Sequence, residues 1–373
     1  MASGVPVTDV GAAPRIRDAR IDALRGLAIT LVVLGHCLVR ATPASPGSAA
    51  GSVGIPGVGW VALSTAANPL LDLIYSIHIP LFAFVSGAVL WGSQRGYGVQ
   101  FLKRRFLGLM VPYFAWMLIG WISVGEKSPF GLLRFMATGA VNPQAPGGLW
   151  FLYALFMSAV VLAAVKWVRD SEGALVLSAA AVGLAGIVPV GSFDHFLGLA
   201  DVAWVYPFFI AGLLFAPRRE WLDRRMRVLL PVALVLWSAS IPIITPVLVS
   251  GPRWWFPWAA GLLGHLGAGG AAFLVSKGVW AAARVAGSLA GVLTIYYAYA
   301  FVKGHALGWQ AWLGQRSIGI YALQAAFLVP FGEPWGWRHV AILFAIAMTG
   351  SILATLVLER FKWTRAVLLG RVA

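Results

Sequence analysis

Long apolar runs alternate along the chain with short polar links. The runs fall at about 22–40, 69–91, 105–124, 149–168, 173–190, 201–216, 228–249, 256–276, 285–302, 317–331 and 339–358. Most of these eleven segments approach or exceed the ~20 residues a helix needs to cross the ~30 Å hydrocarbon core of a bilayer. A closed barrel would show weak alternating segments instead. The pattern therefore predicts an all-α, polytopic transmembrane helix bundle. Residues 1–19 read as a disordered N-terminus, 20–360 as the transmembrane domain and 361–373 as a tail. Two longer links stand out. One, 41–66, is rich in Gly, Pro, Ser and Ala; the other, 125–147, carries a short amphipathic piece at Leu132–Met136. No repeat of fixed period is present.

Composition strengthens this picture. The chain has 373 residues, 60% hydrophobic and 11% charged, and its mean hydropathy is +0.82. Soluble domains run nearer half apolar and a quarter charged. The net charge of +15 would suit a nucleic-acid partner only if it formed a patch. Instead the basic residues sit in clusters between apolar runs: Arg15, Arg17 and Arg20; Lys103, Arg104 and Arg105; and Arg218 to Arg227. That is the positive-inside pattern of a multi-pass cell-membrane protein, and it excludes nucleic acid as the partner. It places both termini and the Arg218–Arg227 loop in the cytoplasm, with 41–66 and 125–147 outside. Eleven crossings would carry the basic tail (Arg360, Lys362, Arg365, Arg371) outside, so ten are expected. The weak region is 256–302, where the Gly-rich stretch 261–270 suits close packing or re-entry. Trp254, Trp255, Trp258, Trp335 and Trp337 read as an interfacial belt. The first twenty residues lack the apolar core of a cleavable leader, so the first span is expected to be an anchor. The single cysteine, Cys37, excludes an internal disulfide and a multi-cysteine metal site.

Ionisable residues inside apolar helices carry the chemistry, because each is costly there without a partner or a watery cavity. In the first span Arg25 and His36 are eleven residues apart, which places them on one face about 16 Å apart along the axis. Asp22 is one turn before Arg25 and in reach of it. In the second span Asp72, Tyr75 and Ser76 share a face to which Ser86 returns, and His78 lies just before Pro80, which breaks the backbone ladder. Each of these two helices offers a histidine and a carboxylate, enough for a general base and an orienting group. No spacing resembles a metal site. Lys103, Arg104 and Arg105 open the third span. A helix N-terminus with three cations would attract phosphate through charge, dipole and free amides together.

These pieces resemble the acyltransferase-3 family of bacterial membrane O-acyltransferases, which includes fucose-type O-acetylases. The likeness is carried by RIDALRGLAITLVVLGH (20–36), with Arg25 and His36 at the family's spacing, HIPLFAFVSG (78–87) and RRFLGLMVPY (104–113). Weaker matches follow in order at GLWFLYALF (148–156), YPFFIAGLLF (206–215) and LGQRSIGIYALQ (313–324). The resemblance implies that the residues at Arg25 and His36 are essential, that acyl-CoA enters from the cytoplasm as co-substrate, and that a hydroxyl on the far side accepts the acyl group. On this reading His36 is the general base, with Asp22, His78 and Asp72 as further catalytic candidates. Arg25, Arg104, Arg105 and Lys103 bind the donor, and Tyr75, Ser86, Trp150, Tyr321 and Gln324 meet substrate. The acceptor is a glycan, a glycolipid or a small glycosylated compound, the acyl group is most simply acetyl, and neither a metal nor a permanently bound cofactor is implied.

Two positions depart from the family. A second arginine is common where this chain has Gly108, so restoring one there is expected to leave donor binding unchanged or stronger. The late serine–tyrosine motif commonly ends in histidine, where this chain has Gln324, so acid–base work is not expected there. Cys37 is rotated about 100° from His36 and is not favoured as an acyl carrier. The competing reading is a transporter or flippase, which also needs intramembrane charges. No second copy of the Asp-x2-Arg…His pattern is present to support one.

Overall fold

A computed structural model describes residues 18–40, 52–55, 59–62, 69–91, 96–124, 128–141, 149–185, 196–244, 269–328 and 337–371. Expectations for residues 1–17, most of 41–66, the Gly-rich stretch before Gly269, and Trp254, Trp255, Trp258 and Trp335 lie outside these residues.

Among the described residues the architecture is helical apart from one two-stranded antiparallel ribbon, Ser52–Ile55 paired with Gly59–Ala62. The first helices are α1 (Ala19–Arg40), α2 (Pro69–Trp91), α3 (Val99–Arg105), α4 (Val111–Val124), α5 (Pro129–Val141), α6 (Trp150–Val168), α7 (Glu172–Ala185) and α8 (Leu199–Phe215). After these come α9 (Arg219–Arg224), α10 (Met226–Ile244), α11 (Gly269–Ala298), α12 (Gly304–Gln315), α13 (Ser317–Phe327), α14 (Trp337–Arg360) and α15 (Lys362–Val367). Among the described residues seven helices are long and apolar enough to span a bilayer, and three shorter apolar ones (Glu172–Ala185, Met226–Ile241, Ser317–Phe327) bring the candidates to ten. The outer faces of α4, α7, α10 and α14 leave Ile122, Leu177, Val235 and Leu353 more than half exposed. Such continuous apolar faces belong against lipid. The protein is multi-pass.

The structure corrects three expectations. Segments 256–276 and 285–302 are not separate: from Gly269 onward they form one helix, α11, running to Ala298. Lys277, Gly278 and Arg284 between the two apolar runs lower the local hydropathy without ending the helix. The apolar pattern gives no sign of helix α12, because Gly304–Gln315 is almost without an amphipathic face. The third span starts at Val99 with Gly98 as its cap, not at the basic cluster. Lys103–Arg105 lie beyond the first four residues, so their amide groups point into the ladder and add no free N–H donors.

Close backbone contacts hold the bundle. A Cβ on Gly87 would overlap the carbonyl of Phe209, and one on Gly212 the carbonyl of Phe84, so α2 and α8 touch backbone to backbone. Gly26 and Gly314 bring α1 and α12 together in the same way.

One end of the bundle is charged. Asp18 pairs with Arg219, and Arg20 with Asp223 at 3.7 Å. Glu172 meets Arg218, while Glu359 binds Arg316 at 3.1 Å and Arg371 at 2.6 Å. The start of α1, the Arg218–Arg227 loop and the C-terminal segment thus share one end, as the charge pattern requires.

Candidate functional site

At the charged end a cavity of about 400 Å³ opens between α1, α2, α3, α6 and α13. Arg25, Ser86, Arg104, Arg105 and Tyr321 line it, together with Ser317 and Gly370. Five residues singled out in the sequence are therefore gathered from four helices. Lys103 is exposed and stays outside the wall.

Arg25 is set from two sides. Asp22, one turn earlier and buried, lies 3.9 Å from its Nη1, and Arg25 Nη2 donates to Ser317 Oγ at 3.5 Å. Gln315 Nε2 donates to Asp22 Oδ2 at 3.3 Å. Asp22 is thus occupied with Arg25 and α12. It lies fourteen residues from His36, about 21 Å along the axis, and cannot orient that ring. Arg105 lies over the Phe101 ring, with Cζ 5.6 Å from the centroid, a cation–π contact. Immediately after it, Phe106–Met110 widen into a π-turn in which the Val111 amide reaches back to the Phe106 carbonyl. Such turns recur at functional sites, and here the turn carries Gly108 and Leu109 into the cavity wall.

The histidines form a second group just beyond the cavity. Val32 and Ile79 line its inner end, one turn short of His36 and next to His78. A Cβ on Gly35 would stand 3.2 Å from Ile74 and from the Tyr75 ring, so α1 and α2 meet here. Tyr75 and His78 stack edge to face with centroids 4.8 Å apart. His78 is buried and its Nδ1 donates to the Ile74 carbonyl at 2.8 Å. A carbonyl only accepts, so Nδ1 carries the proton. His36 is half-buried, next to the Gly35 contact with α2. Asp72 is half-buried in the first turn of α2. Ser76 turns away, accepting from Trp237 Nε1 at 3.0 Å. Trp150, half-buried at the start of α6, stacks edge to face on Phe151 with centroids 5.9 Å apart. Gln324 is buried one turn past Tyr321.

Sequence patterns alone miss Ser317 and Gly370. They also leave out two ionisable residues inside the bundle, Asp201, which is buried, and Arg284, whose guanidinium lies 3.5 Å from the centroid of Trp204. The rule that exposes Asp22 and Arg25 finds Asp201 at the start of the segment 201–216, whereas Arg284 falls in the gap between 256–276 and 285–302 and becomes visible only once these join in one helix.

Comparison with known proteins decides the family. The acyltransferase-3 pattern, described as an acyltransferase domain, matches residues 18–360. The chain belongs to the acyltransferase-3 family. It is 26% identical over 215 residues to nodulation protein NolL of Mesorhizobium japonicum, covering 55% of this chain and 49% of that protein. It is likewise 26% identical over 214 residues to nodulation protein NolL of Sinorhizobium fredii, covering 55% and 50%. The chain thus matches about half the length of these curated relatives. No solved structure matches it.

Within this acyltransferase-3 fold the C-terminal segment is part of the site. Trp116 Nε1 donates to the Leu368 carbonyl at 3.0 Å, and Arg371 binds Glu359 and the Gln315 carbonyl. Between these anchors Gly370, at φ +64°, lies against Gly108, its carbonyl oxygen 3.6 Å from where a Cβ on Gly108 would stand. A Cβ on Gly370 would overlap the Gly108 carbonyl. The segment therefore occupies space that a long side chain at 108 would need. Against the family-based expectation of unchanged or stronger binding, Gly108→Arg is here expected to lift the segment and weaken donor binding on the order of tenfold, about 1.4 kcal/mol. Limited proteolysis of a C-terminally tagged protein checks it. A tag as protected as the parent's, with unchanged donor binding, would show that the segment is not seated there.

Proposed function

We propose that the protein transfers an acyl group, most simply acetyl, from acyl-CoA to a hydroxyl of a glycan, a glycolipid or a small glycosylated acceptor. The observation that carries this reading is one cavity lined by three arginines, with Val32, about one turn short of His36, in its wall. Arg104, Arg105 and Arg25 supply cations for the CoA phosphates, and guanidinium groups suit phosphate geometry. The basic end faces the cytoplasm, where acyl-CoA is found, and the bundle lies in the cell membrane. The pantetheine arm runs inward along α1. His36 takes the proton of the acceptor hydroxyl as its oxygen attacks the thioester carbonyl. The C–S bond then breaks, the acyl group stays on the oxygen, and the departing CoA sulfur takes the proton.

Arg105→Ala should weaken acyl-CoA binding roughly ten- to a hundredfold, as expected for one lost charge-assisted contact of about 1.5–3 kcal/mol. Arg25→Ala should do the same. Arg25→Lys should recover binding only in part, since an ammonium lacks the fork that reaches both phosphate and Ser317. Labelled acyl-CoA binding to purified protein makes the measurement. If neither Arg105→Ala nor Arg25→Ala changes it, the arginines only set topology and the transporter reading returns.

A further inference from the structure

Ser317, Tyr321 and Gln324 follow one another on α13 at i, i+4 and i+7, within about 40° of one face. The first two line the cavity. Gln324 continues the stripe inward, about 10 Å beyond Ser317, and is only 2% exposed. Its Nε2 donates to the Tyr321 carbonyl at 3.3 Å. This bond fixes which way the amide is turned, because a carbonyl can only accept. It also folds the amide back toward Tyr321, a residue of the cavity wall. The other end, Oε1, is buried and accepts no hydrogen bond among the described residues. A buried amide oxygen left unsatisfied destabilises a fold, and leucine at this position would avoid the problem.

The neighbouring helix gives the height. α1 and α13 both start at the charged end, where Arg25 bonds Ser317. Seven residues further along each helix stand Val32, in the cavity wall, and Gln324. Gln324 is therefore level with Val32 and about one turn short of His36, one helical turn past Tyr321 in the cavity wall. A ligand must bring an N–H or O–H donor there. A thioester has none, and an acceptor hydroxyl belongs farther in, beside His36. The pantetheine arm of acyl-CoA carries two amide N–H groups and passes this height on its way to the histidine.

We infer that Gln324 Oε1 accepts a hydrogen bond from a pantetheine amide of bound acyl-CoA and so sets how far the thioester advances toward His36. This deepens the proposed function and rests on its donor cavity. Gln324 is then a donor-positioning residue, not a proton carrier.

The test uses the full-length purified protein. Gln324→Leu should bind acyl-CoA about tenfold more weakly while melting no lower than the parent, because leucine removes a buried unsatisfied oxygen at the loss of only one long hydrogen bond within its own helix. Gln324→Met is the second variant should leucine pack poorly. The decisive probes are acyl-CoA analogues in which one pantetheine amide, then the other, is replaced by an ester. One of them should lose about tenfold in affinity for the parent and nothing further for Gln324→Leu. Equal losses for both proteins would overturn the inference, as would unchanged donor binding with a raised acceptor requirement, which would give Gln324 to the acceptor hydroxyl. Arg105→Ala separates the two levels of failure. If Arg105→Ala weakens binding while the analogues do not distinguish the proteins, only the Gln324 assignment falls. If Arg105→Ala also binds normally, the donor cavity falls with it.

Discussion

His36→Ala is expected to keep acyl-CoA bound while transfer falls a hundredfold or more. The two effects separate because the cavity wall ends at Val32 and Ile79, so truncating His36 removes no wall contact. The anchoring arginine, Arg25, lies eleven residues away at the other end of the stripe. His78 is the rival base, but it is buried, with Nδ1 held by the Ile74 carbonyl at 2.8 Å and its ring against Tyr75. His78→Ala should therefore act mainly through packing at the α1–α2 contact, lowering thermal stability as well as rate. Donor binding and single-turnover transfer, measured on each variant after its yield is checked, decide the matter. Parental transfer by a folded His36→Ala protein would remove the assignment and make His78 the base to examine.

The largest structural effect should come from the α2–α8 crossing. Gly212→Leu places a branched side chain where the Phe84 carbonyl already lies, and Gly87→Leu does the same against Phe209. Neither obstacle is a flexible side chain that can turn aside; both are helix backbone. The helices must separate, and the cavity walls they carry, Phe82 and Ser86 on one and Phe209 on the other, move with them. Each variant is expected to lose about 3 kcal/mol or more, the upper range for overpacking, and to give little monodisperse protein in detergent. Gly120→Leu is the control, since a Cβ there meets nothing within 4 Å. Thermal unfolding of the three proteins by size-exclusion monitoring makes the comparison. Equal behaviour of Gly212→Leu and Gly120→Leu would mean that the crossing is looser than described.

Much of the site is legible in the order of residues alone. The Asp22–Arg25 pair and the Arg25–His36 stripe are properties of a single helix, and helical periodicity places them. The α2 face is less legible. Ser86 reaches the cavity, but Ser76, on the same predicted stripe, turns to Trp237. Periodicity tells which residues share a face, not which neighbour that face meets. The basic cluster shows a similar limit. Arg104 and Arg105 do stand at the cavity near the start of the third span, yet the helix N-terminus expected at them lies earlier. Polar residues before Val99 conceal a helix start that the hydrogen-bond ladder shows plainly.

The helical, membrane-spanning class, the grouping of basic links at one end, and the family all follow from the order of residues. Each of these rests on composition or on contacts within a few residues along one helix. The packing of distant segments adds that Ser317 and Gly370 complete the arginine cavity, that Gln315 of α12 also holds Asp22, and that Gly108 lies against the C-terminal segment. Those facts depend on pairs such as Gly108 with Gly370 or Arg25 with Ser317. Residues hundreds of positions apart leave no periodic trace of one another in a single sequence. Their meeting is set by how closely the helix backbones can approach.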